Sequence, residues 1–143
     1  MTQTETPTVS QIEVLLAQNG YEVEQGGNGV LRVRDLETGV SFQVALEGNV
    51  LYMTLKLIDV KRADITAEMM RRMLEADNGI STSAFKLYQE GDGKTAITLN
   101  NFCTLQNMGQ EDEDDILSLA GYLMADLMEA RELLGPMIEA QTS

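Results

Sequence analysis

The stretch VLRVRDLETGVSFQVALEGNVLYMTLKLI, residues 30–58, decides the fold. Its side chains alternate between apolar and polar, the period of a strand with one covered face. Leu31 and Val33, then Phe42, Val44 and Leu46, then Leu51, Met53, Leu55 and Leu57 fall on common faces. Arg32, Arg34, Gln43, Tyr52, Thr54 and Lys56 point the other way. Glu37-Thr38-Gly39 and Glu47-Gly48-Asn49 interrupt the alternation, and glycine-bearing loops this short imply antiparallel hairpins. One face of the sheet is therefore predicted to be core and the other wet or semi-polar.

Outward from this meander, Tyr21 to Glu24 is a further extended segment, joined to it by Gly26-Gly27-Asn28-Gly29. Ahead of it, Ser10-x-x-Glu13 has the form of a capping box, and Ile12, Leu15 and Leu16 supply a helical stripe ended by Asn19-Gly20. Downstream, Thr66 can cap a helix holding Met69, Met70, Met73 and Leu74, which Asn78-Gly79 would terminate. Ala84 to Gln89 and Thr95 to Asn100 then form a hairpin around Glu90-Gly91-Asp92-Gly93-Lys94, with Phe85 and Leu87 facing the core beside Ile97 and Leu99. The acidic run Glu111 to Asp115 suits the positive end of a helix dipole, and the helix it opens is predicted to stop at Gly135-Pro136. The expected organisation is a disordered N-terminus over residues 1–8, one α+β domain over 9–135 and a C-terminal tail over 136–143.

Ten basic against 23 acidic side chains leave a net charge of -13, which disfavours nucleic-acid phosphates and anionic lipid surfaces. Nine of the ten cations lie before residue 95, so Arg131 stands alone among the nine acids of residues 95–143. No apolar run approaches the ~20 residues that cross a bilayer, and MTQTETPTVS lacks the basic and apolar regions of a secretory signal. With Cys103 the sole cysteine, a cytoplasmic location is expected.

Histidine is absent, which removes the commonest general base, nucleophile activator and transition-metal ligand. Cys103 has no basic neighbour in sequence and reads as a small buried hydrophobe. The run Glu111 to Asp115 lacks the turning, glycine-bent spacing of a calcium loop and reads as a solvated helix cap. Asp77-Asn78-Gly79 and Glu90 to Gly93 read as turns, and Arg71 and Arg72 as a solvated face paired with Glu68 and Glu75. No catalytic, cofactor-binding or metal-binding residue is predicted.

The last helix is another matter. Its apolar positions spread over about 180°, wider than the ~100° stripe needed to sit on one core. If Ile116, Leu123, Leu127 and Leu134 face the sheet, Leu117, Met124 and Met128 remain on the flank, with Met69, Met70 and Met73 offering similar side chains on the second helix. Unbranched methionine repacks around different shapes, which suits a surface for a partner protein or a twin subunit. The competing expectation is that both helices bury both flanks in one monomeric core. Arg131 falls inside the apolar arc, where it would either snorkel past the core edge or pair with an acid across an interface.

In a short acidic chain, the stretches VLYMTLKL, MMRRMLEADNG and FKLYQEGDGKTAITLNNF in this arrangement resemble the type III secretion chaperone-like fold. That fold is shared by Tir-type secretion chaperones and the YbjN-like family of sensory transduction regulators. The resemblance covers residues 9–135 and implies an antiparallel sheet in the order α-β-β-β-α-β-β-α, together with homodimers. It implies that Met69, Met70 and Met73, or Leu117, Met124 and Met128, serve a dimer or client surface. The polar outer sheet face, with Arg32, Arg34 and Lys56, departs from a chaperone's client groove and favours the YbjN-like, regulator or adaptor branch. The alternative is a chaperone that binds an extended segment of an effector protein.

Overall fold

A computed structural model describes residues 7–142, with side chains to residue 139. The chain runs through α1 (Val9–Ala17), β1 (Tyr21–Gln25), β2 (Val30–Asp35), β3 (Ser41–Glu47) and β4 (Val50–Lys61). A 3-10 turn over Arg62–Asp64 follows, then α2 (Ala67–Leu74), β5 (Ala84–Gln89), β6 (Lys94–Thr104) and α3 (Gln110–Thr142). The fold is α+β, with a six-stranded antiparallel sheet in the order β1-β2-β3-β4-β6-β5. Four strands precede α2, not the three of the expected order, because Tyr21–Gln25 pairs along its full length with β2.

The chain forms two compact units. The first comprises residues up to 55 together with 101–120, and the second comprises residues 56–100 together with 121 onward.

In the first unit the alternation of residues 30–55 is realised strand by strand. Val33 lies opposite Phe42, Leu31 opposite Val44, and Val44 opposite Met53, and all five are buried. Their core is shared with Ile12, Leu15 and Leu16 of α1 and with Leu105, Ile116 and Leu119. The capping box of α1 falls two residues earlier than expected. Thr8 Oγ1 accepts from the Gln11 amide at 3.3 Å, and Gln11 Oε1 accepts from the Thr8 amide at 2.9 Å. Thr8-x-x-Gln11 satisfies the same spacing rule as Ser10-x-x-Glu13, and the earlier cap lengthens the helix by two residues. The loop to β2 takes positive φ at Gly27, Asn28 and Gly29, three successive left-handed residues that only glycine and asparagine tolerate well.

Asp112 corrects the solvated reading of the acidic run. It is 3% exposed, and its Oδ2 accepts the backbone amides of Gln106, Asn107 and Met108 at 2.7–2.9 Å. One carboxylate thereby satisfies the turn that leads into α3.

In the second unit, Met69, Met73, Ile97 and Leu134 form a buried cluster, flanked by Leu57, Ile58, Val60, Phe85, Leu133, Met137 and Ile138. Thr66 caps α2, its Oγ1 accepting from the Met69 amide at 3.1 Å. Asn78 closes the far end through its side-chain amide to the Met73 carbonyl at 2.6 Å. Phe85 and Leu87 lie opposite Leu99 and Ile97 as expected, but β5 is the sheet edge and Leu87 stays exposed.

α3 does not stop at Gly135-Pro136. It continues through Pro136 to Thr142, so the expected tail from residue 136 is helical as far as 142. Proline removes one backbone donor from the helical ladder. Met137 and Ile138 nevertheless pack against the cluster around Leu134, and that burial holds the last turns in place.

A candidate protein-binding face on the C-terminal helix

At about 100° per residue, Met124, Met128, Arg131, Gly135 and Glu139 fall within about 80° of the circumference of α3. The buried positions Leu123, Leu127, Ala130 and Leu134 occupy the adjoining arc. This separation creates a stripe that begins half-buried at Met124 and becomes 58% exposed at Met128. Leu117, two turns earlier on the same helix, is also half-buried.

Beside the stripe lies an open cleft of about 290 Å³, lined by Leu57 and Ile58 of β4 and by Ala130, Arg131, Leu134, Gly135, Ile138 and Glu139 of α3. Its walls are mostly aliphatic, and its charged rim holds Arg131 and Glu139. Arg131 is exposed and forms no ion pair among the described residues. Gly135 has open space where a Cβ would project, so the backbone itself can be approached there.

The methionines of α2 divide differently from the expectation that they form one surface. Met69 and Met73 are 1% and 5% exposed and belong to the core cluster, so they offer no surface. Met70 is 40% exposed, and Leu74, one turn on, projects fully into solvent. The helical period explains this split: Met69 and Met73 share the face turned to Ile97 and Leu134, and Met70 and Leu74 share the next.

Sequence reasoning missed the cleft because it ended the helix before Ile138 and Glu139. The apolar spacing Leu134–Ile138 was the available signal for continuation. It also missed Asp126, which is 2% exposed on α3. The carboxylate of Asp126 accepts the amides of Ser81, Thr82 and Ser83 at 2.9, 3.2 and 3.0 Å, and the Ser81 hydroxyl at 2.9 Å. Burial pushes its pKa up, but these hydrogen bonds, led by the Ser81 amide, pull it down further, below the ordinary 3.8. Asp126 pins the loop between α2 and β5 to the helix.

Elsewhere, burial and the nearby carboxylates of Asp115 and Asp112 push the half-buried Cys103 thiol up to about 11, which leaves it a weak nucleophile. On the open sheet face of the first unit, Tyr52 and Phe102 stand exposed with ring centroids 6.1 Å apart. Among the described residues, no group of three or more His, Cys, Asp or Glu side chains is placed to hold a metal, and no helix is long and apolar enough to cross a membrane.

This architecture is a YbjN-like α+β fold. The chain is similar to the crystal structure of YbjN, described as "a putative transcription regulator from E. coli", with a TM-score of 0.64 over 88% of this chain and 92% of that one, at 12% identity. No protein-family model matches the chain, and no curated protein does.

Proposed function

We propose that the chain is a non-catalytic cytosolic protein-binding domain of the regulator or adaptor type, that it acts as a homodimer, and that the exposed flank of α3 is its working surface. The observation that carries this is the stripe Met124–Met128–Arg131. It is an apolar surface beside a guanidinium that has no ion pair among the described residues, on the only basic residue in the last 49 of a chain that otherwise repels anions. Exposed apolar side chains rimmed by polar ones mark sites where proteins meet when they are grouped on one face and not scattered singly. Methionine and arginine are both enriched where proteins meet. The similarity to a protein described as "a putative transcription regulator" supports the regulator reading over a secretory one.

A photo-crosslinking residue at position 128 tests the face against one at Tyr122, which is exposed about 120° away around α3. Discrete protein adducts from 128, absent from 122 and abolished when Met124→Glu is added to the chain that carries the crosslinker at 128, are the expected outcome. Equal labelling at both positions would remove the flank from consideration.

A second reading rests on Tyr52 and Phe102. Two aromatic rings exposed on a sheet face are a platform for an extended segment, as a secretion-type chaperone would need. Phe102→Ala would then weaken capture of an unfolded peptide while leaving the α3 adducts unchanged.

A further inference from the structure

Arg131 and Glu139 sit on the same face of α3 and line the same cleft, eight residues or about 12 Å apart along the axis. Gly135 lies midway between them. A two-fold axis through Gly135 would therefore place Arg131 of one chain against Glu139 of a second, and Glu139 against Arg131, which is the self-complementarity that an isologous contact demands. We infer that two copies pair through antiparallel α3 helices crossing at Gly135, each covering the other's cleft and exchanging two Arg131–Glu139 ion pairs. The inference rests on the proposal that the chain works as a homodimer and gives that dimer its geometry.

Three features favour a second copy over another occupant. The rim carries one charge of each sign, so a purely acidic or purely basic segment would meet a like charge, whereas an antiparallel copy meets none. Gly135 has no side chain, and the open space over it lets two helices approach closely. The register also manages the acidity of the helix. With residue 131 opposite 139, the run Glu111 to Asp115 lies at least about 30 Å along the axis from Gly135, toward opposite ends of the pair in the two copies, so the five acids of one copy never face those of the other. Arg131, the lone cation of this helix, is thereby used where it neutralises an acid of the partner.

Charge reversal tests the geometry, with sedimentation or light scattering of the full chain as readout. Arg131→Glu alone and Glu139→Arg alone each replace two attractions by two repulsions, and each is expected to weaken the dimer by roughly a hundredfold. An equimolar mixture of these two variants is expected to form a heterodimer, because every facing pair is again of opposite sign. The double variant, Arg131→Glu with Glu139→Arg, is expected to recover the wild-type mass. Unchanged thermal melts verify that each variant is folded, and Gly135→Trp should block association without touching charge. A wild-type chain that stays at one-chain mass overturns both this inference and the homodimer, leaving partner docking to the crosslinking test. A dimer indifferent to both single reversals overturns the antiparallel geometry alone. So does a mixture in which the two variants fail to associate.

Discussion

Asp126 is a carboxylate almost without solvent that is nevertheless charged, because three consecutive backbone amides and two hydroxyls point at it. Hydrogen bonds to an ionised acceptor are about twice as strong as neutral ones. Asp126→Ala leaves those donors buried and unmatched, and is expected to cost about 2–3 kcal/mol in chemical denaturation. The pH dependence follows from the same bonds. The folded pKa lies below 3.8, so the contribution of Asp126 is complete above that unfolded value and is lost as pH falls through the depressed folded one. Asp126→Asn should therefore narrow the stability gap to wild type as the solution is acidified below about pH 4. A gap that is constant with pH would mean the carboxylate is not held in its charged form. Nothing in the sequence around Asp126 marks this role, since its partners lie more than 40 positions away. Asp112 could be placed at the start of its helix from sequence, but its three amide partners depend on a turn that places Met108 at φ +57°.

Among the elements, α2 separates what spacing predicts from what packing selects. The stripe of three methionines was legible as apolar, but which of them faces the sheet depends on how the helix is rotated over β6. Met73→Ala is expected to cost about 2–5 kcal/mol, because it opens a cavity beside Ile97 and Leu134. Met70→Ala should stay within about 0.5 kcal/mol. Equal losses in thermal melts would put Met70 in the core and dismiss the division of the helix into two faces. For α3 the Gly-Pro pair is a sound local stop signal, yet burial of Met137 and Ile138 outweighs one missing donor, so the helix runs on and completes the cleft. Local chemistry set the turns of the meander correctly, since each requires left-handed residues where glycine or asparagine stands.

For the whole molecule, a net charge of -13 on 143 residues makes self-repulsion a standing cost of compactness. Raising ionic strength from about 0.01 to 0.15 M shortens the screening length from ~30 to ~8 Å. The thermal midpoint should therefore rise with sodium chloride over this range, and a fall would show that ion pairs outweigh repulsion. The surface pairs present, such as Lys56 with Glu90 at 2.9 Å, are exposed and too weak to reverse that sign. By itself the sequence determined the α+β class, the alternating faces of the meander, the hairpin around Glu90 to Lys94 and the excess apolar width of α3, because each follows from periodicity or turn chemistry within about a dozen residues. Only the tertiary structure decided that Met69 and Met73 are core, that Asp126 and Asp112 are internal anchors, and that Arg131 lines a cleft together with Glu139. Those outcomes depend on which distant segments meet, and burial against such segments is worth more than the local preferences a sequence displays.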